Sequence, residues 1–184
     1  GFQNSGPMAT QILSFDGAAW TLVQSPNFGS GDNSLISVSC ASSTSCVAVG
    51  YYNSGTQPYS AASQTLAMTW DGANWTTVNP PNTGSGDNEL NSVSCTSSTS
   101  CIAVGDYSDG SNLQTLALKW NGSSWYSING LPGAGDAVGA GNSGYLSLRF
   151  ADVDGKPGQE LLQWTNSGVG AMKYFDNQPG GVWG

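Results

Sequence analysis

Residues 27–50 read NFGSGDNSLISVSCASSTSCVAVG, and residues 82–105 read NTGSGDNELNSVSCTSSTSCIAVG. The two stretches lie 55 residues apart and agree at 19 of 24 positions. Self-similarity at such a period marks an architecture in which one supersecondary unit is stacked on the next. A second element recurs three times: ILSFDGAAWTLV from Ile12, LAMTWDGANWTTV from Leu66 and LALKWNGSSWYSI from Leu116. One repeat therefore runs SVSC, a short loop, CVAVG, a variable loop, LAMTW, a turn and WTTV.

Each of these four pieces predicts a strand, being short, rich in Val, Ile, Thr, Trp and Tyr, and bounded by Gly, Asn, Asp and Ser. No stretch carries a sustained helical period. The turns are the strongest local signal. An aromatic precedes Asp-Gly or Asn-Gly and a Trp closes the motif, as in Phe15-Asp16-Gly17 to Trp20, Trp70-Asp71-Gly72 to Trp75 and Trp120-Asn121-Gly122 to Trp125. Such dipeptides tolerate the positive φ of tight hairpins. Four antiparallel strands at this period predict an all-β fold, a β-propeller built from four-stranded blades.

Outside the repeat the chain changes character. Residues 1–130 hold a half blade and two complete blades, 131–144 form a Gly-rich connection, and 145–184 form a last, different blade. Its expected strands are Leu146–Asp152, Glu160–Thr165, Ala171–Phe175 and Gly181–Trp183. The total is about three and a half blades, whereas closed propellers have roughly four to eight. Closure by a second copy or by a partner polypeptide is the expected resolution.

The 184 residues carry 9% charged side chains, no His and a net charge of −8, with four Lys and Arg against twelve Asp and Glu. That balance opposes nucleic acid, which is bound through clustered cations, and opposes an anionic membrane surface. No apolar run is long enough for a membrane span. No secretory leader is recognisable, so the sequence reads as a mature chain, a fragment or a processed product. The lack of His removes Ser-His and Cys-His nucleophile pairs. Paired carboxylates could still hydrolyse glycosides, but there are two Glu and one Arg, and most carboxylates fall in repeated turns. The expectation is a protein that is not an enzyme.

Cys40, Cys46, Cys95 and Cys101 form two equally spaced pairs. Even count and equal spacing point to two disulfides in a secreted, extracellular chain, within or across blades. A metal site and free thiols are the competing readings, and the spacing suits zinc poorly.

The stretches SVSCASSTSCVAVG and SVSCTSSTSCIAVG, with the three aromatic-[DN]-G-x-x-W hairpins, resemble disulfide-containing propeller repeats of secreted actinobacterial proteins. From Phe150-Ala151-Asp152-Val153-Asp154-Gly155 through Glu160-Leu161-Leu162 to the closing Gly-Gly-Val-Trp, the last forty residues resemble a VCBS or FG-GAP-type repeat. That resemblance implies a Ca²⁺ loop in which Asp152, Asp154 and Glu160 stand at ligand positions. Alternating carboxylates suit a hard cation. Lys156 occupies a further ligand position, so a plain turn competes with a structural Ca²⁺, and no other cofactor is implied.

Asp32 and Asp87 sit at equivalent places in the two GSGDN loops, as Tyr52 and Tyr107 do just after the VAVG strands. Each could meet a ligand at the ring surface, satisfy a turn, or pack between blades. The repeated Trp20, Trp70, Trp75, Trp120 and Trp125 are expected to wedge between neighbouring sheets. Trp164 and Trp183 lie outside the repeat and are the freer candidates for stacking on sugar faces. The leading expectation is a secreted, lectin-like carbohydrate-binding module, with glycan or polysaccharide as partner and avidity from repeated weak sites. The alternative is a structural or interaction segment that docks a partner chain in a larger secreted assembly.

Overall fold

The computed structural model describes residues 6–54 and 61–128, and beyond them the backbone of five strands between 146 and 183. Every regular element among these residues is a strand and every pairing is antiparallel. No helix is long and apolar enough to cross a membrane.

Strands β1 (Ile12–Phe15) and β2 (Trp20–Val23) form a two-stranded sheet. The first four-stranded sheet follows as β3 (Asn33–Ser42), β4 (Ser45–Asn53), β5 (Ser63–Trp70) and β6 (Trp75–Val78), each strand beside its neighbour in sequence. The second repeats this order with β7 (Asn88–Ser97), β8 (Ser100–Ser108), β9 (Leu113–Trp120) and β10 (Trp125–Ser127). The backbone continues as a three-stranded sheet of β11 (Leu146–Ala151), β12 (Glu160–Thr165) and β13 (Ala171–Phe175). The last expected strand does not join that sheet. A two-residue strand, β14 (Asn177–Gln178), pairs instead with β15 (Val182–Trp183).

The turns obey the chemistry of their residues. Asp71 Oδ1 accepts the backbone N–H groups of Ala73 and Asn74, both at 2.8 Å, and Gly72 takes φ of 99°. Asp16 and Asn121 act identically in their own hairpins. A side-chain acceptor that closes the turn and a glycine free of Cβ strain together fix the register. Phe15, Trp70 and Trp120 consequently stand opposite Trp20, Trp75 and Trp125.

Cys40 is bonded to Cys46 and Cys95 to Cys101, each pair directly opposed across the first hairpin of its sheet. This settles the cysteine chemistry as two disulfides within sheets, the state that persists in oxidising compartments. The glycine ending each VAVG motif answers a close approach. β3 slips register between Leu35 and Ser37, and β7 does so between Leu90 and Ser92. A Cβ on Gly50 would strike the Ser34 carbonyl, and one on Gly105 would strike that of Glu89. Only glycine fits beside such a bulge.

The core lies between the two four-stranded sheets. Val47, Val49 and Ala67 of the first pack with Leu90, Val93, Ala103, Leu118, Trp120 and Trp125 of the second in one buried cluster. Serine-rich β3 stays ordered because its hydroxyls reach the neighbouring sheet. Ser37 Oγ accepts the Val93 N–H at 3.2 Å and Ser39 Oγ accepts the Cys95 N–H at 3.0 Å. The alternation of SVS thus places apolar groups and acceptors along one seam.

Candidate functional site

The GSGDN loops divide their labour between adjacent residues. Asn33 Oδ1 accepts the Phe28 N–H at 2.8 Å while its Nδ2 donates to the Gly31 carbonyl at 2.9 Å. Asn88 makes the corresponding bonds with Thr83 and Gly86. The turn being satisfied by Asn, the Asp before it reaches backward. Asp32 Oδ1 accepts the Met8 N–H at 2.6 Å, and Asp87 Oδ1 accepts the Ser63 N–H at 2.8 Å and the Ser63 hydroxyl at 3.1 Å. Met8 precedes β1 as Ser63 opens β5, so each carboxylate ties its loop to the preceding sheet.

A second pair of ties was not anticipated. Asn27 Oδ1 accepts the Thr10 N–H at 2.8 Å, and Asn82 Oδ1 accepts that of Thr65 at 2.9 Å. The available signal was the invariance of that Asn, the first residue of both repeated stretches. Tyr52 and Tyr107 lie beside these loops. The Tyr52 hydroxyl donates to Gln64 Oε1 at 2.7 Å, its ring lies 4.5 Å from that of Phe28, and burial pushes its phenol up. Tyr107 packs against the buried cluster between the sheets.

Three carboxylates meet on the second sheet. Glu89 and Asp106 stand directly opposite each other in the β7–β8 ladder, close to Asp87. Like charges so placed oppose each other. Burial, then the Glu89 charge, pushes Asp106 up to about 6, although the Asn91 Nδ2 bond at 2.8 Å lowers it. Burial and the Asp87 charge also raise Glu89, against a lowering bond from the Ser63 hydroxyl. In the first sheet the corresponding positions are Ser34 and Tyr51, which carry no charge.

An opening among the described residues has a different chemistry. An open cleft of ≈ 700 Å³ runs between the two-stranded sheet and the first four-stranded sheet. Its walls include Ile12, Phe15, Val38, Ala48, Trp70 and Trp75, so it is predominantly apolar. Val38 is 62% exposed, whereas Val93, its equivalent one repeat later, is 5% exposed. What covers Val93 is the cluster supplied by Val47 and Val49 of β4. Among the described residues no strand pair stands in that position beside β1, and the same valine is exposed.

The repeated Trp residues follow the same gradient. Trp120 and Trp125 are each 6% exposed, Trp70 and Trp75 are half-buried, and Trp20 is 66% exposed. The expected wedge therefore holds for the second sheet and fails for Trp20, whose face no sheet covers among the described residues. Phe15 and Trp20 pair at 5.0 Å there, beside exposed Leu13 and Leu22. Each complete sheet also uses its first indole as a donor. Trp70 Nε1–H bonds the Ser43 carbonyl at 3.2 Å and Trp120 Nε1–H bonds that of Ser98 at 3.1 Å, both in disulfide loops. Phe15, which has no such loop beside it, cannot donate.

Trp164 lies within β12, Trp183 ends β15 and Glu160 begins β12 opposite Ala151. Asp152 and Asp154 fall outside the described residues, as does the connection 131–144. Among the described residues no three His, Cys, Asp or Glu side chains converge as a metal site. The structure thus brings Asp32, Asp87 and the two tyrosines to the seams between sheets, and places exposed Phe15 and Trp20 at the cleft. No known family, no curated protein and no solved structure matches this chain.

Proposed function

We propose that this chain is a secreted, non-catalytic β-propeller segment whose task is to dock another polypeptide along the cleft between β1–β2 and the first four-stranded sheet. The observation that carries this reading is the exposure of Val38 against the burial of Val93 at the same place in the repeat. Apolar side chains that one four-stranded sheet buries are presented by the other, next to a sheet of two strands among the described residues. Contiguous exposed apolar surface of this kind marks interaction sites, and an open strand edge invites another strand. Among the described carboxylates, Asp16, Asp71 and Asp109 close turns and Asp32 and Asp87 tie loops to the preceding sheet, while Glu89 and Asp106 face each other in the β7–β8 ladder. Two disulfides fit an extracellular setting.

Sedimentation and hydrogen exchange on the whole chain test this. The docking reading expects those amides of residues 11–15 that do not bond β2 to exchange freely in the isolated monomer. Slow exchange there in a monomer would mean that the chain covers its own edge, and would end the reading.

A lectin-like role is the second reading, favoured by the pairing of Phe15 with exposed Trp20 at the mouth of the cleft. Indole faces stack on sugars. The aliphatic lining of Ile12, Leu35 and Val38 suits a sugar less well than a strand. A glycan and cell-wall polysaccharide screen, run with Ca²⁺ and with chelator, decides it. Saturable binding lost in Trp20→Ala would favour the lectin; silence on every surface would remove it.

A further inference from the structure

We infer that Asn121 is a site of spontaneous covalent modification: in the folded chain the Gly122 backbone nitrogen attacks its side-chain amide, and the hairpin between β9 and β10 thereby exchanges an amide for a carboxylate.

Three donors converge on one oxygen. Asn121 Oδ1 accepts the Ser123 N–H at 3.0 Å, the Ser123 hydroxyl at 3.0 Å and the Ser124 N–H at 2.9 Å. Asp16 and Asp71, at the same place in their hairpins, accept the two backbone bonds without a hydroxyl, because Ala18 and Ala73 stand where Ser123 does. Donors aimed at an oxygen on which negative charge will develop lower the barrier to attack at its carbon. The nucleophile is the next main-chain nitrogen, already tethered to its target. Gly122, at φ of 95°, sets no Cβ beside that nitrogen. Among the described residues no acceptor holds the Gly122 N–H, whereas the Gly110 N–H of the Asp109-Gly110 turn donates to Ser108 Oγ at 3.2 Å. Asn121 and Gly122 are both exposed, so water and hydroxide reach them.

Hydroxide removes the Gly122 N–H proton, a bond forms from that nitrogen to Asn121 Cγ, and the Cγ–Nδ2 bond breaks with loss of ammonia. A cyclic imide remains. Water then adds at Cγ and breaks its bond to the Gly122 nitrogen, which restores the ordinary main chain and leaves a carboxylate. The product suits the turn, since Asp71 Oδ1 closes the equivalent one with the Ala73 and Asn74 N–H groups. The Asp-Gly turns resist the same attack. Backbone N–H bonds, those of Ala19, Asn74 and Asn112 foremost, hold the carboxyls of Asp16, Asp71 and Asp109 below the usual range. An ionised carboxylate is a poor electrophile, whereas the same bonds polarise a neutral amide. Among the described turns, Asn121-Gly122 alone joins such an amide to a glycine. Its tip gains a negative charge with age, beside Thr99 of the disulfide loop, which a Cβ on Gly122 would strike.

The intact, disulfide-bonded chain is kept in mildly alkaline buffer and sampled over weeks, beside a sample unfolded in guanidinium chloride. Peptide mass mapping reads conversion at Asn121 separately from Asn129, whose pair with Gly130 lies outside the described residues. Asn121 should convert at least as fast folded as unfolded. Ser123→Ala should slow the folded rate about threefold, the equivalent of one exposed hydrogen bond, and leave the unfolded rate unchanged. Asn121→Asp, which makes the product in advance, should unfold at the parent's denaturant midpoint, and a clear loss would overturn the fit of the product to the turn. An Asn121 that persists longer folded than unfolded, or a folded rate indifferent to Ser123→Ala, overturns the inference.

Discussion

Val38 and Val93 sit in the same strand of the same repeat, flanked on both sides by serine, and their environments are opposite. The first sheet places Val38 against an open cleft, and the second places Val93 against β4 of its neighbour. The strand sequence dictates the fold of each sheet, but burial of its outer face is conferred by the sheet before it. Stability in such stacks is a sum of unit and interface contributions. Among the described residues the second four-stranded sheet carries both contributions and the first lacks part of one.

The sharpest way to break this comparison is to place the same charge at both valines. Val93→Asp puts an unpaired carboxylate among Leu90, Ala103 and Trp120, and should cost about 4 kcal/mol or more. Val38→Asp meets water and should stay within about 0.5 kcal/mol of the parent chain. Urea unfolding monitored by circular dichroism reads both. Equal losses would show that Val38 is covered in solution and that the contrast between the blades is not real.

The carboxylates of the second blade sharpen the comparison through pH. Asp106, pushed up to about 6, holds its proton more tightly folded than unfolded, as does Glu89 in direction. Between the unfolded value near 3.8 and about 6 the folded state binds more protons, so stability falls as pH rises through that window. Above it the penalty is complete. Asp106→Asn should therefore stabilise the chain at pH 7 by about 1–2 kcal/mol and flatten its stability between pH 4 and 6. Asp16, Asp71 and Asp109 act in the opposite sense. Backbone N–H bonds lower their values, so their contribution is present at neutral pH and lost in stronger acid. Thermal unfolding across pH separates the two groups. A variant with the parent's profile above pH 4 would remove Asp106 from the account.

Much of this was legible in the chain itself. Asp-Gly and Asn-Gly after an aromatic determined the hairpins, because turn closure and positive φ depend on residues adjacent in sequence. Equal cysteine spacing pointed to disulfides, and the register then placed each pair face to face. The use of Asp32 and Asp87 was not legible, since their partners Met8 and Ser63 lie a loop and a strand away. The exposure of Trp20 was hidden for a related reason. A repeated indole looks the same in every copy, and only the neighbouring sheet determines whether it is covered. Residue identity reports the pairing within a blade more faithfully than the packing between blades.

The smallest expected difference concerns the indole donors. Trp70→Phe and Trp120→Phe keep an aromatic opposite Trp75 and Trp125 and remove only an N–H bond to a disulfide-loop carbonyl. The Trp70 bond is exposed, so water replaces it and the change should be within about 0.5 kcal/mol. The Trp120 bond is partly buried, and its loss leaves the Ser98 carbonyl less well solvated, at about 1 kcal/mol. Phe15 already stands at this position in the two-stranded sheet, where no loop carbonyl stands beside it among the described residues. If the indole serves the loop, Phe at 70 should also loosen residues 42–45 in hydrogen exchange while leaving the hairpin turn at 71–74 unchanged. Loosening of both, or of neither, would assign the indole to packing alone and would leave the Phe at 15 without an explanation in hydrogen bonding.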